Sequence, residues 1–366
     1  MAIHNLTVIG YRSIRRLRLP LRPVNVLTGP NGCGKSNLYN AVFLLAKAAE
    51  GGFARAIAEE GGMPSVLWAG PRRRFSKKEP VRVILAVATG QFSHQLECGL
   101  PAPGGSHDFA FDPEVKEEYV RYGPERTRST TLLDRHDATT WVRDAEGRMI
   151  SYPLQLLLSE SVLSQIREAH LYPELSALRS EMRQWRFYHH FRTDPGSPLR
   201  QPQIGVRTPV LAHDGCDLAA ALATIREIGD TAALDDAVQR AFPGASLVIE
   251  SAAARFRIGL RMPGILRPLQ TAELSDGTLR YLCLVAALLS PRPPALLAFN
   301  EPETSIHPDL LDPLARLIAA AARSSQLWVT THSARLAGLI AEHSGEAPIR
   351  LEIIEGETRV AFGGES

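Results

Sequence analysis

The chain has 366 residues, of which 45% are hydrophobic and 22% are charged, and its formal net charge is +2. This composition is that of an ordinary soluble globular protein, and the length allows one large α/β domain with an insertion or two modest domains. The small net charge does not by itself predict nucleic-acid binding.

Neither a membrane span nor a secretion signal is predicted. The longest apolar stretch, residues 283–289, is far shorter than the roughly 18 residues that a membrane-spanning helix needs. The N-terminus lacks a charged start followed by an apolar run and a small-residue cleavage site. The four cysteines are scattered without a C-x-x-C pair, which favours reduced thiols. We therefore expect a cytoplasmic protein with no membrane partner.

Hydrophobic periodicity and turn residues predict helices and strands along the whole chain. The predicted elements are two strands within residues 1–28, a helix at 37–50, a hairpin formed by 81–88 and 92–100, a hairpin about 144–147, mainly helix over 153–185, a strand at 187–191, helices at 217–228 and 231–242, strands at 247–249 and 255–260, and a hairpin about 355–357.

Residues 29–36 read Gly-Pro-Asn-Gly-Cys-Gly-Lys-Ser, which fits the pattern G-x-x-x-x-G-K-S of a nucleotide phosphate-binding loop. A short β-like run precedes the loop, and apolar residues at helical spacing follow it. The glycines let several N–H groups point at one anion, and the helix N-terminus adds a partial positive charge. Lys35 would reach the β- and γ-phosphates, and the Ser36 hydroxyl would ligate Mg²⁺. The loop alone leaves kinases, GTPases and motor ATPases open.

Three later segments narrow the choice. Residues 274–278, Leu-Ser-Asp-Gly-Thr, open an apolar helix and form a second helix N-terminus suited to phosphate. Residues 295–303 are an apolar run that ends in Asn-Glu-Pro-Glu, and residues 327–333 are another that ends in Thr-Thr-His-Ser. Such short apolar runs are typical of strands buried on both faces. Because ligands of open α/β sheets bind at the carboxyl ends of parallel strands, these polar residues are candidate site residues.

In this order and spacing, the four motifs resemble those of an ABC-type ATPase head of the RecF and SMC-like branch, which includes single-head AAA-type ATPases of bacteria. Residues 6–14, Leu-Thr-Val-Ile-Gly-Tyr-Arg-Ser-Ile, resemble the first strand of that branch. The resemblance covers about residues 1–50 and 270–340. It implies an α/β fold, namely a P-loop NTPase head with a mixed or parallel core sheet, an antiparallel β lobe and a helical insertion. We expect three parts: residues 1–100 with the phosphate loop and β lobe, 101–210 as the helical insertion, and 211–366 with the remaining motifs.

The resemblance also implies a role for each matched residue. In such heads the signature loop of one subunit touches the γ-phosphate held by another, so ATP would be shared by a homodimer. Ser305 would lie in the loop that crosses the dimer interface. Three residues are expected to take part in catalysis, namely Lys35, Glu301 as the base that activates water, and His332 as the γ-phosphate sensor. Mg²⁺ would be bound by Ser36 and Asn300. The nucleotide would be contacted by Asn31, Gly32, Gly34, Lys35, Ser36, Asn37, Ser275 and Gly277.

Two positions depart from the family pattern. Asn300 stands where the family usually has an Asp, so the site keeps an amide oxygen but loses a negative charge that Mg²⁺ prefers. We therefore expect slow hydrolysis of ATP to ADP and phosphate. Asp276 replaces a Gly of the common signature, and we expect it to point away from phosphate or to contact another residue. The glutamine that usually completes the Mg²⁺ shell is not identified, with Gln91 and Gln95 as the nearest candidates.

Basic clusters make DNA a candidate partner, and a protein is the other candidate. Five basic residues crowd residues 72–78, and further arginines crowd residues 12–22 and 179–192. Each cluster fits either solvated surface or a track for a phosphate backbone. By analogy with the family, the expected setting is DNA repair, chromosome maintenance or defence against foreign DNA.

Three alternatives remain open on the sequence. A non-hydrolysing ATP-binding switch is favoured by Asn300. The ATP subunit of a membrane transporter is disfavoured by the SMC-like opening strand and by the 265 residues between Lys35 and Asn300. A small-molecule kinase is disfavoured by the signature loop and His332.

Overall fold

The computed structural model describes residues 2–71, 81–101, 107–123, 127 and 129–361. The basic segment 72–78 lies outside the described residues. The chain divides into two compact units. Unit 1 consists of Met1–Arg22, Gly29–Trp185 and Arg350–Ser366, and unit 2 consists of Pro23–Thr28 and Arg186–Ile349.

The described chain contains strands of both parallel and antiparallel sheets, as the predicted mixed α/β class requires. The strands are β1 (Ile3–Tyr11), β2 (Ile14–Pro20), β3 (Val24–Thr28), β4 (Val83–Thr89), β5 (Phe92–Gly99), β6 (Glu114–Tyr122), β7 (Thr131–His136), β8 (Thr139–Arg143), β9 (Met149–Ser151), β10 (Arg186–Tyr188), β11 (Gln203–Ile204), β12 (Ser246–Ala252), β13 (Arg255–Arg261), β14 (Leu269–Gln270), β15 (Leu296–Asn300), β16 (Gln326–Thr330), β17 (Ile349–Ile354) and β18 (Glu357–Val360).

The helices are short, and among the described residues the longest has 16 residues. No described helix is long and apolar enough to cross a membrane. The helices are α1 (Lys35–Glu50), α2 (Phe53–Glu59), α3 (Met63–Val66), α4 (Val162–Gln165), α5 (Pro173–Met182), α6 (Leu218–Ile228), α7 (Thr231–Ala241), α8 (Asp276–Leu288), α9 (Leu311–Ala321) and α10 (Ala334–Ser344).

Unit 1 is built on an eight-stranded antiparallel sheet with the strand order β2-β1-β4-β5-β6-β7-β8-β9. Burial alternates along β4, whose odd positions from Val83 to Thr89 are buried, because successive side chains of a strand point to opposite faces. Helix α1 packs against α2, α4 and α5 in the same unit. The predicted hairpin of residues 81–100 is confirmed as β4 and β5, with Val83 opposite Cys98.

A buried polar cluster joins two strands of this sheet to a helix. The Glu118 carboxylate is fully buried and accepts hydrogen bonds from Ser161 Oγ and the Val162 N–H, and it pairs with His94 Nε2 at 2.9 Å. Burial opposes ionisation of Glu118, but the bonds to His94, Ser161 and Val162 outweigh it and hold its pKa below the usual range. The cluster ties β5 and β6 to the start of α4.

Unit 2 contains four parallel strands in the order β10-β15-β16-β3. Asn300 pairs with Thr330, and Thr330 pairs with Leu27, so the three neighbouring strands end at one edge. Helix α8 is buried along most of its length, from Leu279 to Leu288, in a core that includes α6, α9 and the parallel strands. A second, antiparallel sheet of unit 2 is formed by β11 to β14.

Two predicted segments were wrong. Residues 1–28 form three strands rather than two, because Pro20 and Pro23 end β2 and leave β3 to join the parallel sheet of unit 2. Residues 153–185 are mostly not helical and contain only α4 and α5. Ser161 caps α4, and Pro173 lies in the first turn of α5, so each helix begins at its own start signal and residues 153–160 are left outside both.

We predict that Ser161→Ala lowers the free energy of unfolding by about 1–3 kcal/mol, because it removes a donor from a buried carboxylate. Since the folded-state pKa of Glu118 lies below its unfolded value, the cluster contributes above the unfolded pKa and its contribution is lost as the pH falls through the folded pKa. Urea unfolding followed by circular dichroism at neutral and acidic pH measures both effects. The exposed Ser151→Ala serves as the control, and an equal stability for the two variants would contradict the role of the cluster.

Candidate functional site

The phosphate loop lies in unit 1 and has the backbone that anion binding needs. Gly29, Gly32 and Gly34 have φ values of 147°, 77° and 97°, a region that L side chains rarely adopt. A Cβ at Gly29 would overlap the carbonyl oxygen of Leu351, so side chains are excluded there by both conformation and space. The loop is followed directly by α1, whose first residue is Lys35.

Lys35 is held inside the loop that it follows. It is only 4% exposed, and its ammonium donates to the carbonyl oxygens of Gly29 at 2.7 Å and Pro30 at 3.0 Å. Ser36, at the next position, is exposed together with Asn31 and Gly32. The loop thus presents a fixed cation, a hydroxyl and a helix N-terminus, which is the set that the sequence predicts for phosphate.

A hydrogen-bonded chain of side chains supports the loop within unit 1. Asn37 Nδ2 donates to Ser13 Oγ at 2.8 Å, and Ser13 Oγ lies 2.7 Å from Thr358 Oγ1. Thr358 is fully buried, and a Cβ at Gly34 would overlap its hydroxyl. The side chain of Asn37 therefore holds the β1–β2 turn, and Thr358 of β18 is a supporting residue that no motif in the sequence indicates.

The acidic loop of unit 2 begins where β15 ends. Asn300 Oδ1 accepts a hydrogen bond from the Thr330 hydroxyl at 2.7 Å. Glu301 has a φ of 49°, and its N–H donates to the Thr330 carbonyl at 2.8 Å, so the chain turns sharply at this residue. The Glu301 carboxylate lies 2.7 Å from His332 Nε2. The structure therefore brings together Asn300, Glu301 and His332, as their positions after neighbouring strands predict.

Glu303 belongs to this site, although the sequence analysis gave it no role of its own. Its Oε1 accepts hydrogen bonds from the Thr331 hydroxyl, the His332 N–H at 2.9 Å and the Ser333 N–H at 3.2 Å. These bonds fix the segment before α10 and with it the backbone of His332. The second acid of the Asn-Glu-Pro-Glu motif was the signal that could have found it.

The signature loop is joined to the acidic loop within the same unit. Ser275 caps α8 by accepting a hydrogen bond from the Thr278 N–H at 3.1 Å. A Cβ at Gly277 would overlap the carbonyl oxygen of Ser305, so the glycine permits close packing of the two loops. Ser305 itself has a φ of 63°. Gly277 thus has a packing reason within its own subunit, in addition to the role expected between subunits.

Asp276 points to Arg200, which explains how an acid is accommodated in the signature loop. Arg200 Nη2 lies 2.7 Å from Asp276 Oδ1, and Arg200 Nη1 donates to the carbonyl oxygens of Thr271 and Leu274 at 2.9 and 2.8 Å. Arg200 is only 10% exposed, so this pair is partly shielded from water. Arg200 is distant in sequence, and the sequence analysis gave no signal for it.

The fourth parallel strand adds two histidines that the sequence analysis also missed. His189 and His190 follow β10, so they lie at the edge where β15 ends in Asn300. Arg280 of α8 donates to His190 Nδ1 at 2.7 Å and to the Thr304 carbonyl at 2.6 Å. These residues and Glu301 line a cavity of about 200 Å³.

The two glutamines considered for the Mg²⁺ shell both belong to unit 1. Gln95 lies in β5 and donates to Glu97 at 2.7 Å, and Gln91 lies in the turn between β4 and β5. Strand β10, which neighbours β15, is followed by His189 and His190. The position of a Mg²⁺-shell glutamine stays open.

The oxygen donors present suit Mg²⁺ rather than a transition metal. Mg²⁺ keeps several waters and takes one or two protein oxygens together with substrate phosphates, so it does not need an all-protein cage. The hydroxyl of Ser36, the amide of Asn300 and the carboxylate of Glu301 are oxygen donors of this kind. Within the described part of the chain, His, Cys, Asp and Glu form no group of three or more that could hold a metal ion.

Comparison with known proteins gives one family and a set of similar structures. Residues 24–337, most of the chain, match a family model described as "AAA domain, putative AbiEii toxin, Type IV TA system". No curated protein sequence matches the chain at a significant level.

Solved structures of SMC head domains have a similar fold at low sequence identity. The SMC head bound to the C-winged helix domain of ScpA has a TM-score of 0.53 at 15% identity, covering 99% of this chain and 98% of that one. The Pyrococcus furiosus head with an extended coiled coil, bound to the C-terminal domain of ScpA, has a TM-score of 0.51 at 14% identity, covering 98% of this chain and 96% of that one. The Pyrococcus yayanosii head with a coiled coil and joint has a TM-score of 0.50 at 12% identity, covering 98% of this chain and 96% of that one.

These similarities confirm the expected fold, which is that of an SMC head domain. The family match spans the phosphate loop, the signature loop, the acidic loop and His332. The chain belongs to the AAA-domain family described as putative AbiEii toxin of type IV toxin–antitoxin systems.

Proposed function

We propose that this protein binds Mg-ATP and hydrolyses it slowly to ADP and phosphate, and that two copies close around ATP as a switch. The observation that carries the proposal is that the chain contains both a complete phosphate loop, which lies in unit 1, and a carboxylate–histidine pair, Glu301 and His332, which lies in unit 2. The family match and the SMC-like fold support the same activity.

In this proposal the phosphate loop binds the nucleotide. Its N–H groups and the start of α1 face the phosphates, and Lys35 exchanges its two backbone carbonyl partners for phosphate oxygens. Ser36 and Asn300 provide oxygen atoms for Mg²⁺, which supplies charge stabilisation on the phosphates when bound. The charge of Lys35 stabilises the transferred group.

Glu301 would act as the base. His332 Nε2–H donates to one carboxylate oxygen and fixes its direction, while the carboxylate accepts the proton of the attacking water. The water oxygen forms a bond to the γ-phosphorus as the bond to the bridging oxygen of ADP breaks. Glu303 contributes indirectly, because it holds the backbone of His332.

The signature loop would close the site of a second copy. Ser275 and Gly277 lie at the start of a buried helix. Arg200 fixes the loop by hydrogen bonds to two of its carbonyl oxygens and by an ion pair with Asp276. This preformed loop supports pairing of two subunits around ATP. Since Gly277 packs on the Ser305 carbonyl, contact at the signature would be transmitted to the acidic loop of the same subunit.

The partners and setting follow from analogy. Two of the similar SMC heads were solved bound to ScpA domains, which supports a protein partner for this chain as well. DNA remains the other candidate, supported by the exposed arginines Arg15, Arg16 and Arg18 of β2. The family description favours defence over DNA repair or chromosome maintenance, and we place the protein in the cytoplasm.

A second candidate function is a switch that binds ATP without hydrolysing it. Asn300 favours this reading, because the neutral amide accepts its hydrogen bond from Thr330 without adding charge for Mg²⁺. The two readings share the nucleotide site and differ only in turnover.

We predict that Lys35→Ala weakens ATP binding by about ten- to a hundredfold, the equivalent of about 1.5–3 kcal/mol for contacts to a charged group. Titration calorimetry with Mg-ATP measures the change. Lys47→Ala is the matched control, because Lys47 lies in the same helix and pairs with Glu50 near the surface. Unchanged ATP affinity in a folded Lys35→Ala protein would show that this loop does not bind the nucleotide.

We predict that Asn300→Asp lets turnover saturate at lower Mg²⁺ and raises, or at least preserves, the rate, because an Asp keeps the acceptor for Thr330 and adds charge. Phosphate release as a function of Mg²⁺ concentration is the measurement. Thr330→Val separates the two effects, since it removes the hydrogen bond without changing charge. A folded Asn300→Asp protein without activity would show that the site is built around a neutral group.

A further inference from the structure

The cavity at the end of β10 contains a buried cation that the proposed hydrolysis does not use. Arg280 is 6% exposed, and burial lowers its pKa. Within the part of the chain that the structure describes, no carboxylate lies within ion-pair distance of it. Buried charges are normally paired with an opposite charge, so Arg280 is unusual.

Hydrogen bonds orient the guanidinium but do not neutralise it. Its partners are the Thr304 carbonyl at 2.6 Å, His190 Nδ1 at 2.7 Å and the Phe191 carbonyl at 3.5 Å. Because Arg only donates, His190 Nδ1 must accept, and the ring therefore carries its proton on Nε2. His190 is thus set as a second donor on the wall of the cavity.

The size and lining of the cavity suit a small anion. Its volume of about 200 Å³ is below that of typical pockets for nucleotide-sized ligands. His189 and His190 are exposed at its opening, and Arg280 is buried within it. Glu301 also lines the cavity, and its carboxylate lies 2.7 Å from His332 Nε2.

We propose that this cavity binds inorganic phosphate, held by Arg280 and His190, on its way out of the site where Glu301 activates water. The inference rests on the proposed ATP hydrolysis for the origin of the phosphate, but the binding itself does not need turnover. A phosphate dianion supplies the negative charge that Arg280 lacks, and its oxygens accept from the guanidinium and from His190 Nε2. Phosphate so bound would remain beside the acidic loop after ADP has formed.

The test is binding of inorganic phosphate alone, measured by calorimetry on the full chain. Arg280→Gln should weaken binding by about tenfold or more, as expected for losing a charge-assisted pair of bonds. His189→Glu, at an exposed position, should weaken phosphate binding similarly, because the new carboxylate repels the anion. This second variant keeps the proposal testable if the Arg280→Gln protein does not fold. Arg292→Gln, at an exposed position in unit 2, should bind phosphate like the wild type.

Lys35→Ala separates this site from the phosphate loop. If the cavity is the site, Lys35→Ala keeps phosphate binding while Arg280→Gln and His189→Glu lose it. If Lys35→Ala loses binding and the cavity variants keep it, phosphate occupies the loop and the proposal is wrong. Wild-type protein that does not bind phosphate at millimolar concentration also overturns it. Phosphate binding in a protein without ATP turnover would support the cavity site and contradict the hydrolysis proposal.

Discussion

The register of three parallel strands determines where the chemistry of unit 2 lies. Asn300, Thr330 and Leu27 are neighbours across β15, β16 and β3, so their chains leave the sheet at one edge. The strands are short and largely apolar, and Asn300 and Thr330 are the last residues of β15 and β16. A slip by one residue would turn Asn300 and Thr330 to opposite faces and break the bond between their side chains.

A second constraint joins the signature helix to the acidic loop. Gly277 packs on the Ser305 carbonyl, and Arg280 donates to the Thr304 carbonyl, so α8 and residues 301–305 form one packed assembly. Glu301 and Ser305 both have positive φ values, and such strain persists only where surrounding contacts determine the backbone. A partner that displaces α8 would therefore move the segment that carries Glu301.

The sequence indicated where the phosphate loop, Glu301 and His332 lie in the fold, because each follows a short apolar run whose type and order are visible in the chain; their roles stay predictions. It missed Arg200, Arg280 and Thr358, whose partners lie 76, 24 and 345 residues away, since long-range contacts leave no periodic signal. It predicted mainly helix for residues 153–185, where the structure has only two short helices, one capped by Ser161 and one that begins at Pro173. The predicted division at residues 100 and 210 stays a proposal.

The central claim is that ATP is shared between the phosphate loop of one copy and the signature loop of another. Molecular mass in solution, with and without Mg-ATP, tests this most directly in the Glu301→Gln protein, where the nucleotide should persist. The account predicts a monomer without ATP, a dimer with it, and a monomer again when Ser275→Arg is added, with ATP still bound. A Glu301→Gln protein that binds ATP and remains monomeric, or a dimer that Ser275→Arg leaves intact, would contradict it.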